Sequence, residues 1–409
     1  MTQHADEIRS FLEERREAQA AFLAELVKTP SDNPPGDCAR HAERAAALLE
    51  GFGFAVERHP VPEGLVRANG MVSVVNLVVR RRFGDGPVVA LNAHGDVVPP
   101  GEGWTRDPYG AEVADGWMYG RGVAVSKSDF ATYAFALLAL EAAAAALKGT
   151  IELHLTYDEE AGGEIGPKWL LDESISRPDY AICAGFSYGV VTAHNGCLHL
   201  EVEVGGRSAH AARPETGIDA LEAATAILGT LYSQRRAYRE RVSATPGIGS
   251  PQLTVGLIKG GINTNVVPDR VTFRLDRRLI PEEQADAVEA ELRQAIVKAG
   301  QAVPGARVEI RRILLARPLA PIGDAPTLAE LLCRRASEVL GEEIRAQGVP
   351  LYTDARHYAK AGIPTVLYGA GPRTIEDANA HRADERLPLA VLPKATEVVA
   401  LALLDLLGG

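Results

Sequence analysis

Four short stretches of this 409-residue chain carry side chains able to hold a divalent cation or to move a proton. His94-Gly95-Asp96 follows the apolar run Val88–Ala93. A histidine and an acid two residues apart can act as a ligand and the neighbour that orients it. A lone triplet of this kind is common, so by itself it says little. Asp158-Glu159-Glu160, with Gly162-Gly163 behind it, comes just after the apolar run Thr150–Thr156. Three adjacent acids repel one another unless a cation or a proton compensates. One glutamate there can bind a metal while another takes a proton from water; a solvated acidic loop is the alternative. His381 stands in Ala380-His381-Arg382-Ala383-Asp384-Glu385, and Ser208-Ala209-His210 follows the turn Gly205-Gly206. Single histidines in such settings are more often structural than catalytic.

The elements that must position these residues can be read from the pattern. Helical periodicity runs through the first ~28 residues, where Phe11, Phe22, Leu23 and Leu26 stand among charges. The turn-rich TPSDNPPGD follows, then a helix over Arg40–Gly51. Strands are expected at Phe54–Arg58, Val72–Arg80, Val88–Ala93, Thr150–Thr156, Tyr180–Cys183 and Ile363–Tyr368. Long helices are expected at Lys127–Leu147, including the alanine-rich patch 142–146, at Leu328–Leu340 and at Ala390–Leu407. Helices alternating with buried strands predict an α/β fold whose sheet is flanked by helices on both faces. Ligands gather at the C-terminal ends of strands in such sheets, which is where the first two acid-bearing stretches fall. Near residue 195 the texture changes. Cys197–Val204 alternates with period two, and a strand–helix–strand–strand–helix–strand order continues to Leu314. That order is ferredoxin-like. We therefore expect residues 195–315 to form an inserted domain, with 1–194 and 316–409 making a discontinuous α/β domain.

Composition narrows the classes. Hydrophobic residues make 46% of the chain and charged residues 24%, close to globular averages, and this excludes bulk disorder. The net charge of −11 argues against a nucleic-acid partner. A small anionic substrate stays compatible, because local charge can oppose the global sign. The charged N-terminus has no apolar segment of a secretory signal, and no run is long enough for a membrane span. Cys38, Cys183, Cys197 and Cys333 are scattered without a CxxC pair, which fits reduced thiols in a cytoplasmic protein.

Taken together the motifs say far more. In order they read HGDVVP, GRG, DEEAGG, GGRSAH, NTNVVPD, TDARHYAKAGIPTVLYG and AHRADE. In this the chain resembles, over nearly its whole length, the metal-dependent exopeptidase and deacylase family of succinyl-diaminopimelate desuccinylase, acetylornithine deacetylase, aminoacylase and carboxypeptidase G. The resemblance implies a zinc-exopeptidase-like mixed sheet flanked by helices, with the inserted domain as a lid that dimerises. It implies His94, Glu160 and His381 as metal ligands, Asp96 as the acid orienting His94, and Glu159 as general base. It further implies His210 as an oxyanion donor that reaches into the site of the partner subunit, and Asn265 and Arg278 as substrate contacts. An arginine fork would take a substrate carboxylate bidentately.

Two acids of the family pattern are missing. Val125 stands where an acid after GRG bridges two metals, and Cys183-Ala184-Gly185-Phe186-Ser187 offers no acid near the second expected position, Gly185. Without a bridging carboxylate, a metal pair about 3.5–4 Å apart is not held together. Asp129, Cys183 and His194 are the candidate replacements. The expectation is one labile divalent transition metal, manganese or zinc, held by two histidines and a glutamate. The expected activity is hydrolysis of a C–N bond in a small carboxylate-bearing substrate by a homodimer or higher homo-oligomer. A narrower form is removal of an aromatic amino group, as by 5-nitroanthranilate aminohydrolase, with Phe186 contacting substrate and Tyr188 and Tyr352 as further aromatic candidates. The alternatives are a two-metal deacylase or peptidase with substitute ligands, and a non-catalytic binding descendant.

Overall fold

The computed structural model describes residues 2–144 and 146–408. It divides into two compact units: Met1–Thr192 with Pro321–Gln347 and Thr353–Gly409, and Ala193–Ala320 with Gly348–Tyr352.

The first unit is built on an eight-stranded mixed sheet. Its order is Val56–Pro60, Val75–Arg82, Thr150–Thr156, Val88–His94, Tyr180–Cys183, Thr365–Leu367, Val190–His194 and Ala346–Val349. The four consecutive strands from Thr150–Thr156 to Thr365–Leu367 run parallel to one another. Val88–His94 and Thr150–Thr156 are buried almost from end to end, which is why both read as continuous apolar runs rather than as alternating ones. In the register, His94 lies opposite Thr156. The two strands therefore end level, and the loops that leave them emerge side by side. The helices Lys127–Ala142 and Val391–Leu407 bury nearly all of their length against this core.

The expected first helix is two, Thr2–Glu14 and Arg16–Val27, interrupted at Arg15, where φ is −101° and ψ 6°. The alanine patch is not plain helix: the Lys127 helix stops at Ala142, and Ala144 turns into the left-handed region at φ 45°. Ala145 lies outside the described residues. Helix propensity alone does not sustain a helix without packing. Here Lys148 N–H donates to Leu407 O and Leu147 bridges to Gly408, so the chain is drawn off to begin the next strand. A small three-stranded sheet of Glu112–Ala114, Trp117–Tyr119 and Arg386–Pro388 was not expected at all. Three-residue strands are too short to show a period.

The second unit is a four-stranded antiparallel sheet in the order Gln252–Gly260, Arg270–Leu279, Gly196–Gly205, Arg307–Ala316. Leu198, Leu200, Val202 and Val204 alternate inward against the helices Ala220–Tyr238 and Ala285–Gly300, leaving Cys197, His199 and Glu201 on the opposite face. The first of those helices is capped by Asp219, whose Oδ1 accepts from Leu221 N and Glu222 N. Among the described residues, no helix is long and apolar enough to cross a membrane.

One buried network in the first unit gives a clear pH signature. Glu152 accepts from Arg80 Nε at 2.8 Å, from Ser176, and pairs with His154 Nε2 at 2.9 Å. Burial pushes its carboxyl up, but these partners outweigh burial and hold it down at about 2. A carboxyl lowered on folding stabilises above its unfolded value and loses that contribution as pH falls through the folded one. Glu152→Gln should therefore cost about 2–4 kcal/mol at pH 7, shrinking as pH drops from about 4.5 toward 2. Urea unfolding across that range checks it; a pH-independent difference would count against the network.

Candidate metal centre and active site

His94 is the last residue of its strand and is 5% exposed. Its Nδ1 faces Asp96 O at 2.9 Å and Asp96 Oδ1 at 3.5 Å, which leaves Nε2 as the ligand atom. Asp96 is fully buried and does more than orient the ring. Its Oδ1 accepts from Glu159 N, and its Oδ2 accepts from Glu160 N and from Asn33 Nδ2, at 3.2, 3.2 and 3.0 Å. One carboxylate thus fixes the histidine and the backbone of both glutamates. Burial disfavours the His94 cation, yet Asp96, Glu159 and Glu160 outweigh it and hold the imidazole well above its ordinary value. The pocket is electrostatically made for positive charge.

The acidic loop leaves its strand through a short 3-10 turn, Glu159–Ala161. Asp158 is buried, and its Oδ2 takes the Ile165 N–H at 2.6 Å. Gly163, at φ +67°, must be glycine: an added Cβ would lie 2.2 Å from Asp354 Oδ1 and 2.7 Å from His357 Nε2. Burial, with Glu160 and Asp96 adding and His94 opposing, pushes Glu159 up to about 7. Asp354 went unassigned in the sequence, although it stands in the TDARHY stretch. It is buried, pushed up to about 8 by burial and by Glu159, and neither carboxylate oxygen has a hydrogen-bond partner among the described residues. Asn33, the third donor to Asp96, had no sequence signal beyond its turn-rich loop.

His381 comes from a loop in which Asn379, His381 and Asp384 all adopt positive φ, at 49°, 60° and 55°. Non-glycine residues hold that conformation only where surroundings enforce it. Asp384 does so by accepting from Thr105 N and Oγ1, and Asn379 by donating to Asp384 O. At the end of the loop, Glu385 and Arg121 form an ion pair at 2.7 Å, each 1% exposed, with Ala124 N and Val125 N also donating to Glu385. His381 Nε2 lies 3.2 Å from Glu160 Oε1, and pairing with that glutamate raises the imidazole. Yet that buried oxygen has no hydrogen-bond partner among the described residues. A carboxylate oxygen and an imidazole nitrogen that meet at this distance out of good hydrogen-bond alignment suit two ligands aimed at one cation. Ligand atoms of His94, Glu159 and Glu160 also lie within 4.8 Å of one another. The donor set of imidazole and carboxylate fits a divalent transition metal.

At the two positions without acids the surroundings are closed. Val125 packs against the core. A Cβ on Gly185 would lie 2.9 Å from Tyr368 N, and Gly185 N–H donates to Asp129. Of the candidate replacements, Asp129 spends its oxygens on Gly185 N and Ala370 N. Burial pushes the Cys183 thiol well up. His194 ends the sheet strand Val190–His194, with Nδ1 facing Asn195 O. None of the three joins a group of metal-competent side chains among the described residues. Phe186 packs over Gly371, where an added Cβ would meet its ring at 2.1 Å.

The remaining candidates belong to the second unit. His210 and Asn265 are exposed and neighbouring: His210 bridges to Val266, and Ala211 N–H donates to Asn265 O. Arg278 points its Nε at both oxygens of Asp276, 3.1 Å from each.

The family model of peptidase family M20/M25/M40 matches residues 90–405. The chain belongs to that family. This M20 chain is 30% identical over 400 residues to the acetylornithine deacetylase of Myxococcus xanthus, covering 96% of this chain and 98% of that protein. It is 28% identical to the succinyl-diaminopimelate desuccinylase of Wolinella succinogenes, covering 93% and 98%. Among solved structures, the aminopeptidase PepT of Bacillus cereus superposes with a TM-score of 0.76 at 22% identity, covering 96% of this chain and 98% of that one, which shows the same fold. The M20 chain is thus a metal-dependent hydrolase of C–N bonds.

Proposed function

We propose that this chain hydrolyses a C–N bond in a small carboxylate-bearing substrate, using a single divalent metal held by His94, Glu160 and His381, with Glu159 as general base. What carries the reading is the convergence of these side chains with Asp96 in one site, while Val125 and Gly185 occupy the places where a second set of ligands would start. When bound, the metal supplies Lewis acidity and lowers the pKa of water. Glu159 takes the proton of the attacking water and returns it to the leaving nitrogen. Asp96 holds His94 and both glutamates in register. His210, supplied by the inserted unit of a second copy of the chain, serves as oxyanion donor, and Asn265 and Arg278 as substrate contacts; Arg278 would have to share its guanidinium with Asp276.

The narrower reading is hydrolytic removal of a ring amino group from an electron-poor aromatic carboxylate. Phe186 and Tyr188 are its aromatic candidates, already packed over Gly371 and under Arg373 respectively. A homodimer through the inserted unit belongs to the same proposal. It is supported by the edge strand Gln252–Gly260, whose Leu257 and Ile258 are 61% and 55% exposed.

Manganese titration of the chelator-treated protein tests the metal count, because Mn prefers oxygen and imidazole donors over thiolates. The expected result is about one ion per chain with the EPR spectrum of an isolated ion, and activity that returns with it. An exchange-coupled manganese pair would replace this reading with a two-metal deacylase or peptidase. The product decides the substrate class: ammonia from aminobenzoates supports the narrower form, and carboxylic acid released from N-acyl amino acids overturns it.

A further inference from the structure

A second cluster of ligand-type side chains lies in the ferredoxin-like unit, on the face of its sheet turned away from the two helices. We propose that Cys197, His199 and Asp276 form a site for a soft divalent cation of the zinc class, separate from the His94–Glu160 centre. The strands Gly196–Gly205 and Arg270–Leu279 are antiparallel neighbours through a ten-residue register in which His199 stands directly opposite Asp276 and Cys197 opposite Arg278. Alternate residues of a strand share a face, so Cys197 and His199 emerge side by side with Asp276 across from them. The ladder that sets this register holds the three side chains in place without help from a loop.

Two of the three separations match ligands around a metal, and the third, sulfur to imidazole, is shorter and would open on binding. Cys197 Sγ lies 3.1 Å from His199 Nε2 and 3.6 Å from Asp276 Oδ1, and His199 Nε2 lies 3.3 Å from Asp276 Oδ2. Ligands around a tetrahedral zinc, with Zn–S about 2.3 Å and Zn–N or Zn–O about 2.0–2.1 Å, stand about 3.3–3.6 Å apart. A nucleophile–histidine–acid relay would use both ring nitrogens, one for each partner. Here a single nitrogen faces both sulfur and carboxylate, as when three donors aim at one point. Cys197 is buried, while His199 and Asp276 keep 36% and 31% of their side-chain surface, which gives an ion a way in. Binding would convert the thiol to a thiolate, releasing its proton to solvent, and leave a fourth position for water. It would also draw Asp276 from Arg278, whose Nε now faces both its oxygens. A thiolate donor separates this site from the all-oxygen-and-nitrogen centre in metal preference.

Cobalt(II) titration of the full, chelator-treated chain tests the proposal, since only a sulfur ligand gives a thiolate-to-cobalt charge-transfer band in the near ultraviolet. Cys38, Cys183 and Cys333 join no cluster of three ligand-type side chains among the described residues. The expected result is a band saturating at one ion per chain, absent in Cys197→Ser and retained in His381→Ala. His199→Ala and Asp276→Asn should each weaken cobalt binding roughly tenfold or more. No band in the native chain, or a band that survives in Cys197→Ser, would overturn it. Should Cys197→Ser fail to fold, the part-exposed His199→Ala decides: unchanged cobalt affinity rejects the site.

Discussion

Turnover should fall by about 10²–10⁴-fold in Glu159→Gln, with substrate binding kept within a few fold. Glutamine has the shape of glutamate, and its backbone N–H keeps the bond to Asp96 Oδ1. What it lacks is the ability to take a proton. The native carboxyl is suited to that task because burial, helped by Glu160 and Asp96 against His94, brings it to about 7, near the pH at which it must both accept and return a proton. The neighbouring Glu160→Gln should behave differently. It faces His381 and should lower metal affinity, so that excess metal restores part of the activity. Steady-state kinetics at saturating manganese, with calorimetry on a substrate analogue, separates the two. Native turnover in Glu159→Gln would remove the general base from the proposal.

The second large effect is on stability. Glu385→Ala should cost about 3–5 kcal/mol, because it leaves the Arg121 guanidinium buried without its carboxylate. Arg121 retains Pro100 O and the face of Trp104, neither of which neutralises it. The same change strips Ala124 N and Val125 N of their acceptor and loosens the end of the His381 loop. Replacing both members together, Arg121→Met with Glu385→Leu, should recover much of the loss, since apolar groups of similar size need no partner. Urea unfolding of the single and double variants measures the contrast. A single-variant loss under about 1 kcal/mol would mean that water reaches Arg121 readily.

The part of the site legible in the sequence was the part carried by short motifs at strand ends. His94, Asp96, Glu159 and Glu160 could be grouped because two apolar runs end in ligand-type residues, and strand ends gather ligands. His381 could not be joined to them by pattern alone; the resemblance supplied it. Asn33 and Asp354 stayed hidden because each acts through a tertiary contact: one donates to Asp96, and the other sits in the cradle over Gly163. The Cys197–His199–Asp276 group was hidden for the same reason. Two strands separated by a helix and another strand must be set in register before their side chains meet. The fold was readable where periods were long, and unreadable in three-residue strands and at the end of an alanine run where only packing could stop the helix.

The close approach at Gly185 bears on how this lineage can change. An acid at position 125 would have to give up the packing of Val125 against the core. At 185 even a methyl group would press on the backbone of Tyr368, and neither neighbour can rotate aside. Placing carboxylates at both positions is therefore not a matter of two independent substitutions: the strand edge beneath Tyr368 has to move first, a step that brings no catalytic reward of its own. Laboratory evolution toward a second ion should therefore find its solutions elsewhere in the pocket.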